Sequence, residues 1–156
     1  MKPHASQLPN YAPAETAIQR EAQFTGAILV ERLPRLVASL ASAAGTLDVR
    51  FQVGNEIARP PFLRGEIRGE LQLTCQRCLE IFDWPLQAKV DLRLVRSEAE
   101  EARWLQDYEP YLIEDDRLHL HEMVEDEVLL ALPLSPRCAA CAPPSDEAVA
   151  DAGRNR

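Results

Sequence analysis

All four cysteines of this 156-residue chain fall in two Cys-x-x-Cys pairs, Cys75-Gln-Arg-Cys78 and Cys138-Ala-Ala-Cys141. A Cys-x-x-Cys turn presents two thiolates to one point. Two such turns supply the four soft ligands of a tetrahedral zinc site, with Zn–S bonds of about 2.3 Å. Cys75, Cys78, Cys138 and Cys141 are therefore the expected metal ligands, and structural zinc the expected cofactor. Four protein thiolates leave no vertex open for water, which disfavours metal-assisted hydrolysis. Such a clasp would tie the middle of the chain to its C-terminal end. Arg77 and Arg137, beside the two pairs, could offset its negative charge. A thioredoxin-like pair should open a helix after a strand. Here both flanks of Cys75–Cys78 read as strand, so redox exchange is the lesser reading.

Other chemistry-bearing residues are sparser. Arg64, Arg68, Arg77, Lys89 and Arg93 form the one basic cluster, and on strands most of them could share a polar face suited to RNA phosphates. Interleaved Glu66, Glu70 and Asp91 weaken that reading. Glu122, Glu125 and Asp126 would lie on one face of a late helix, as a candidate protein-docking surface. His119 and His121 read as surface histidines near that helix's start. No Gly-rich phosphate loop, G-x-S-x-G or Ser/His/Asp pattern stands out.

The net charge of −8 is unevenly spread. Residues 97–131 carry twelve acidic and two basic side chains, whereas residues 59–96 carry seven basic and five acidic. An acidic chain lacks the footprint that coats a phosphate backbone. Its acidic stretch could meet a basic partner, such as a ribosomal protein. No apolar run approaches the roughly 18 residues of a membrane span. The N-terminus lacks the apolar core of a secretion signal, so a reducing cytoplasm is expected.

The elements that must position these residues are readable from periodicity. Phe24 to Val30 could form a short strand. Leu33, Leu36, Val37 and Leu40 mark a helix from near Glu31 to Ala43, which Gly45 stops. Leu47, Val49, Phe51 and Val53 alternate with polar residues as a half-buried strand, and Arg59-Pro-Pro61 reads as a connector. Ile67, Leu71 and Leu73 predict a strand that runs into Cys75. Trp84 to Leu94 predicts its antiparallel partner, which puts the first cysteine turn at a hairpin tip. Residues 97–117 read as an acidic solvent-facing loop with a short strand at Tyr111–Ile113. A last helix begins near Leu120, with a C-terminal half expected to be buried nearly all round, and ends at Pro133. The fold class is α+β: an antiparallel β-sheet with two packed helices and a zinc-type clasp of four cysteines. Residues 1–20 read as a flexible leader, 21–141 as a single α+β domain, and 142–156 as a flexible tail.

Cys75-Gln-Arg-Cys78-Leu79-Glu80, Tyr108-Glu-Pro110 and the run Val124-Glu-Asp-Glu-Val-Leu-Leu-Ala-Leu-Pro-Leu134 together resemble the YceD family, the large ribosomal RNA subunit accumulation proteins. The likeness extends from about Gly26 to Cys141. The family signature falls on Cys75, Gln76, Arg77 and Cys78, and on Glu125, Asp126, Glu127, Leu132 and Pro133. The resemblance implies a bacterial cytoplasmic, non-enzymatic factor needed for accumulation of 23S large-subunit ribosomal RNA, through its synthesis, processing or stability. The implied partners are ribosomal RNA, a ribosome-assembly intermediate or a basic ribosomal protein, with no membrane. Two alternatives stand beside it: a ribosomal RNA processing enzyme relying on Glu125 or His121, and a redox-responsive zinc adapter.

Overall fold

The computed structural model describes residues 6–142. The five-stranded sheet at its centre has the order β2-β3-β4-β5-β6, with β2 spanning Gln23–Leu29, β3 Thr46–Glu56, β4 Arg59–Thr74, β5 Ile81–Val95 and β6 Pro110–Leu112. The first four strands are antiparallel, and β6 adds to β5 in parallel. A small second sheet pairs β1, Tyr11–Pro13, with β7, Arg117–His119. Helix α4, Leu120–Ala131, packs against β5, while α1 (Ala14–Gln19), α2 (Pro34–Val37) and α3 (Glu98–Trp104) are short. The expected α+β class holds.

One face of the sheet is the core. The alternation that predicted β3 buries Leu47, Val49, Phe51 and Val53, and Leu63, Ile67 and Leu71 of β4 join them. Leu120, Met123, Val124 and Val128 of α4 close the core from above at helical spacing. Polar residues at the intervening strand positions point to solvent, as a period of two requires.

Four local expectations change. The helix expected over 31–43 shrinks to a 3-10 turn at Val30–Arg32 and one turn of α2. The Ala41 N–H is drawn to the Gln72 carbonyl of β4 at 2.8 Å, which ends the helical path. Leu33 and Leu36 are still buried, as their stripe required. Strand β4 begins at Arg59, so the prolines read as a connector lie inside it. They sit where the β3–β4 register is irregular, between Gly54 and Glu56, and proline is tolerated at such a bulge because it has no N–H to lose.

Residues 6–20, expected within a flexible leader, are packed: Leu8 and Ala17 are 3% exposed and Ala14 is fully buried. Ser6 and Leu8 exchange backbone hydrogen bonds with Ala27, each 2.9 Å long. Gly26 permits this approach, because a Cβ there would stand 2.6 Å from the Ser6 oxygen and 2.7 Å from the Leu8 nitrogen. Residues 1–5 and most of the expected tail, 143–156, lie outside the described residues.

The acidic loop contains α3. Ser97 accepts a hydrogen bond from the Glu100 N–H, and the Glu100 carboxylate accepts one from the Arg96 N–H. The Ser-x-x-Glu spacing of a capping arrangement was the signal for this helix. No residue of α3 is buried, which is why hydrophobic periodicity missed it.

Candidate metal centre

The β4–β5 hairpin runs in register from Phe62 opposite Arg93 to Thr74 opposite Ile81, leaving Cys75–Glu80 as its tip. The tip is a tight knuckle. The Cys75 N–H donates to the Glu80 carbonyl at 2.8 Å, and the Leu79 N–H donates to the Cys75 carbonyl at 2.9 Å. Leu79 adopts a left-handed φ of 66°, which turns the chain back onto β5. The second knuckle follows α4. Leu132 leaves the helix in extended conformation, which suits the residue before a proline. The Gln76 N–H then donates to the Pro136 carbonyl at 2.8 Å and pins the incoming segment beside the hairpin tip. The Cys141 N–H donates to the Cys138 carbonyl at 3.0 Å and closes the second turn.

The two knuckles bring four sulphur atoms within 4.8 Å of one another. Cys78 and Cys138, one from each knuckle, are 3.7 Å apart at Sγ. A regular tetrahedron with Zn–S bonds of about 2.3 Å has S···S edges of about 3.8 Å, so the spacing fits a thiolate-bound ion. The electrostatics point the same way. Backbone N–H groups of Cys78, Cys138 and Arg77 aim at the Cys75 thiol and hold its pKa down to about 6. The opposite strain falls on Cys141, where the neighbouring Cys138 thiol, together with burial, pushes the pKa up to about 12. Four thiolates so close need a cation to ionise together. Cys75 is buried, Cys78 exposed, and the other two are half-buried.

The remaining candidate residues separate. Arg64, Arg68 and Lys89 do share the solvent face of the sheet, but within a lattice of mixed charge. Arg64 pairs with Asp91 at 3.1 Å and Glu56 at 3.3 Å, and Arg68 with Glu66 at 3.2 Å. Glu66 stands between Arg50 and Lys89 in register. Arg50 belongs to this face and was legible in the β3 alternation. Arg77 stands apart, exposed at the hairpin tip. Arg93 is removed from the candidate RNA contacts. It is 2% exposed, donates to Glu56 and to the Pro60 carbonyl at 3.0 Å each, and lies over the Tyr108 ring at 4.4 Å. It holds the β3–β4 turn against the segment after α3.

Glu125 is likewise no docking residue, being 5% exposed. One of its oxygens accepts the backbone N–H groups of Arg35 at 3.0 Å and Leu36 at 3.3 Å, and the other accepts Arg35 Nε at 2.8 Å. These are first-turn N–H groups of α2, which has no side-chain cap of its own. Glu125 supplies that cap from across the core. Asp126 pairs with the same arginine at 2.7 Å, and Glu122 is exposed. His121 Nε2 lies 2.8 Å from the Leu8 carbonyl and ties α4 to the N-terminal segment. The His119 N–H donates to the Tyr111 hydroxyl at 3.2 Å. Glu125 and His121, on which an RNA-cleaving alternative would rely, thus both carry structural contacts.

These features define a small α+β protein whose central hairpin is clasped to its C-terminal segment by four cysteines. A family model described as large ribosomal RNA subunit accumulation protein YceD matches residues 63–156, from within β4 through both knuckles. The chain belongs to the YceD family. It is 26% identical over 119 residues to the large ribosomal RNA subunit accumulation protein YceD of Haemophilus influenzae, an alignment that covers 76% of this chain and 68% of that protein. No solved structure matches. No helix among the described residues is long and apolar enough to cross a membrane.

Proposed function

We propose that this protein supports the accumulation of 23S large-subunit ribosomal RNA as a binding factor rather than as a catalyst. It would act through a ribosome-assembly intermediate or a basic ribosomal protein, in the cytoplasm. Membership in the YceD family is the observation that carries this reading. The local chemistry agrees with it. Cys75, Cys78, Cys138 and Cys141 would hold zinc with every coordination position taken by sulphur, so the metal would brace the fold instead of activating water. The exposed Arg50, Arg68 and Lys89 on the sheet face, and Arg77 at the hairpin tip, are the candidate RNA contacts. Their interleaving with Asp48, Glu66 and Asp91 makes a weak phosphate surface. The acidic stretch 97–131 makes a protein contact the stronger route.

Cells lacking the protein should show a lowered ratio of large-subunit to small-subunit ribosomal RNA, restored by the wild-type gene. An unchanged ratio overturns the reading. Purification of the tagged protein with and without RNase then separates the two routes. Loss of all partners on RNase treatment marks attachment through RNA, and a basic protein that survives it marks direct protein contact.

A further inference from the structure

Helix α4 was expected to bury its C-terminal half nearly all round, yet Leu130 is 74% exposed. It lines a groove of about 450 Å³ between α4 and the edge strand β6. Pro110 and Tyr111 form one apolar wall, and Leu129 and Leu130 the other. Glu109, just before β6, and Glu127, on α4, line it from its two sides. Burial first, and then the charge of Glu109, raises the Glu127 pKa to about 7.

Their neighbours fare differently. Glu125 and Asp126 share Arg35, Glu56 has Arg93 and Arg64, and Glu15 and Asp116 share Arg96. Among the described residues, no arginine or lysine stands within ion-pair distance of Glu109 or Glu127. The groove therefore combines uncovered leucine with two carboxyl groups crowded against each other, and both are relieved by one kind of occupant. A cationic side chain between the carboxyl groups removes their repulsion, and an apolar neighbour on the same segment covers Leu130. A phosphate backbone would meet the wrong charge here.

We infer that the groove between β6 and α4 is a docking site for a basic amphipathic segment of a partner protein, with a lysine or arginine seated between Glu109 and Glu127 and apolar side chains against Tyr111, Leu129 and Leu130. The identity of the partner as a ribosomal or assembly protein rests on the function proposed above; the groove's preference for such a segment does not.

The test uses the full chain and a short labelled peptide of alternating lysine and leucine. Binding is compared for the wild type, the double variant Glu109→Gln/Glu127→Gln, Leu130→Ser, and a control, Glu98→Gln/Glu101→Gln, which removes the same charge from α3. The groove variants should each weaken binding by about tenfold, the loss expected when a central charged or apolar contact is removed, and the control should change it less than about twofold. Equal loss in the control, or no loss in the groove variants, overturns the inference. None of these substitutions empties the core, and circular dichroism verifies folding. In cells, wild type that restores the RNA ratio where Glu109→Gln/Glu127→Gln does not places the groove in the function. Restoration by both removes the groove from the function and leaves the function standing. No RNA deficit without the protein overturns the function, and the peptide result still decides the groove.

Discussion

At the tip of the β4–β5 hairpin four thiol groups converge on one point, and in the groove between β6 and α4 two carboxyl groups do. Each place gathers groups that repel once ionised, and the two differ in where the opposing charge comes from. The clasp has a donor set spaced for an ion of its own, and its strands and knuckles are built around that spacing. The groove has apolar walls, the carboxyl groups of Glu109 and Glu127 and, among the described residues, no arginine or lysine paired with them. A third crowded site, Glu125 and Asp126, is offset internally by Arg35 and by the backbone N–H groups of α2. Like charges close together mark a structural centre when the fold closes around them, and a binding surface when it leaves them open to a partner.

Breaking the clasp should have the largest effect. Cys75→Ser, or a strong chelator, should take the protein from about one zinc per chain to none and release residues 133–142 from the hairpin, because metal binding and folding are coupled. Metal analysis with limited proteolysis measures both. A metal-free wild type with intact thiols and a protected C-terminal segment would remove the clasp from the comparison.

Glu125→Ala should come next. It strips the cap from two N–H groups of α2 and leaves Arg35 with Asp126 alone, for a loss of about 2–3 kcal/mol in urea unfolding. Glu122→Ala, on the exposed face of the same helix, should cost less than about 0.5 kcal/mol. Equal costs would show that Glu125 is not the internal brace its contacts describe.

The smallest effect should be a gain. Glu127 binds its proton more tightly in the folded chain, with a pKa of about 7 against an unfolded value of 4.5. Between those values the folded state holds more protons than the unfolded one, so this group's contribution to stability falls as pH rises through the window. Glu127→Gln should leave stability near its wild-type value at pH 4 and raise it at pH 8. The gain should be on the order of 1 kcal/mol, discounted because the carboxyl is half in water. Thermal unfolding at the two pH values reads the difference. A gain that does not depend on pH would mean that the carboxyl pair is not under strain.

Much of the scaffold was legible because its signals are local. Alternation at Leu47–Val53 and Trp84–Leu94 and the helical spacing of Leu120, Val124 and Val128 mark which face of each element is apolar. The hairpin then places Cys75–Cys78 at a tip without further information. The N-terminal segment was misread because its core residues are mostly alanines, which give little hydrophobic signal. They become core only where Gly26 lets the chain approach. Leu130 was misread in the opposite direction: apolar character predicted burial, and no neighbour among the described residues covers it.

The sequence by itself determined the ligand type of the clasp, its two knuckles, the strand and helix phases, and the acidity of residues 97–131. Residue type and spacing are properties of neighbouring positions along the chain, and they need no knowledge of what lies across the fold. Only the tertiary structure decided that Arg93 and Glu125 are covered and paired, and that Glu109 and Glu127 line one groove. Whether a charge is a brace, a surface or an unmet demand depends on which distant group packs against it, and that is settled by long-range contacts that no local pattern encodes.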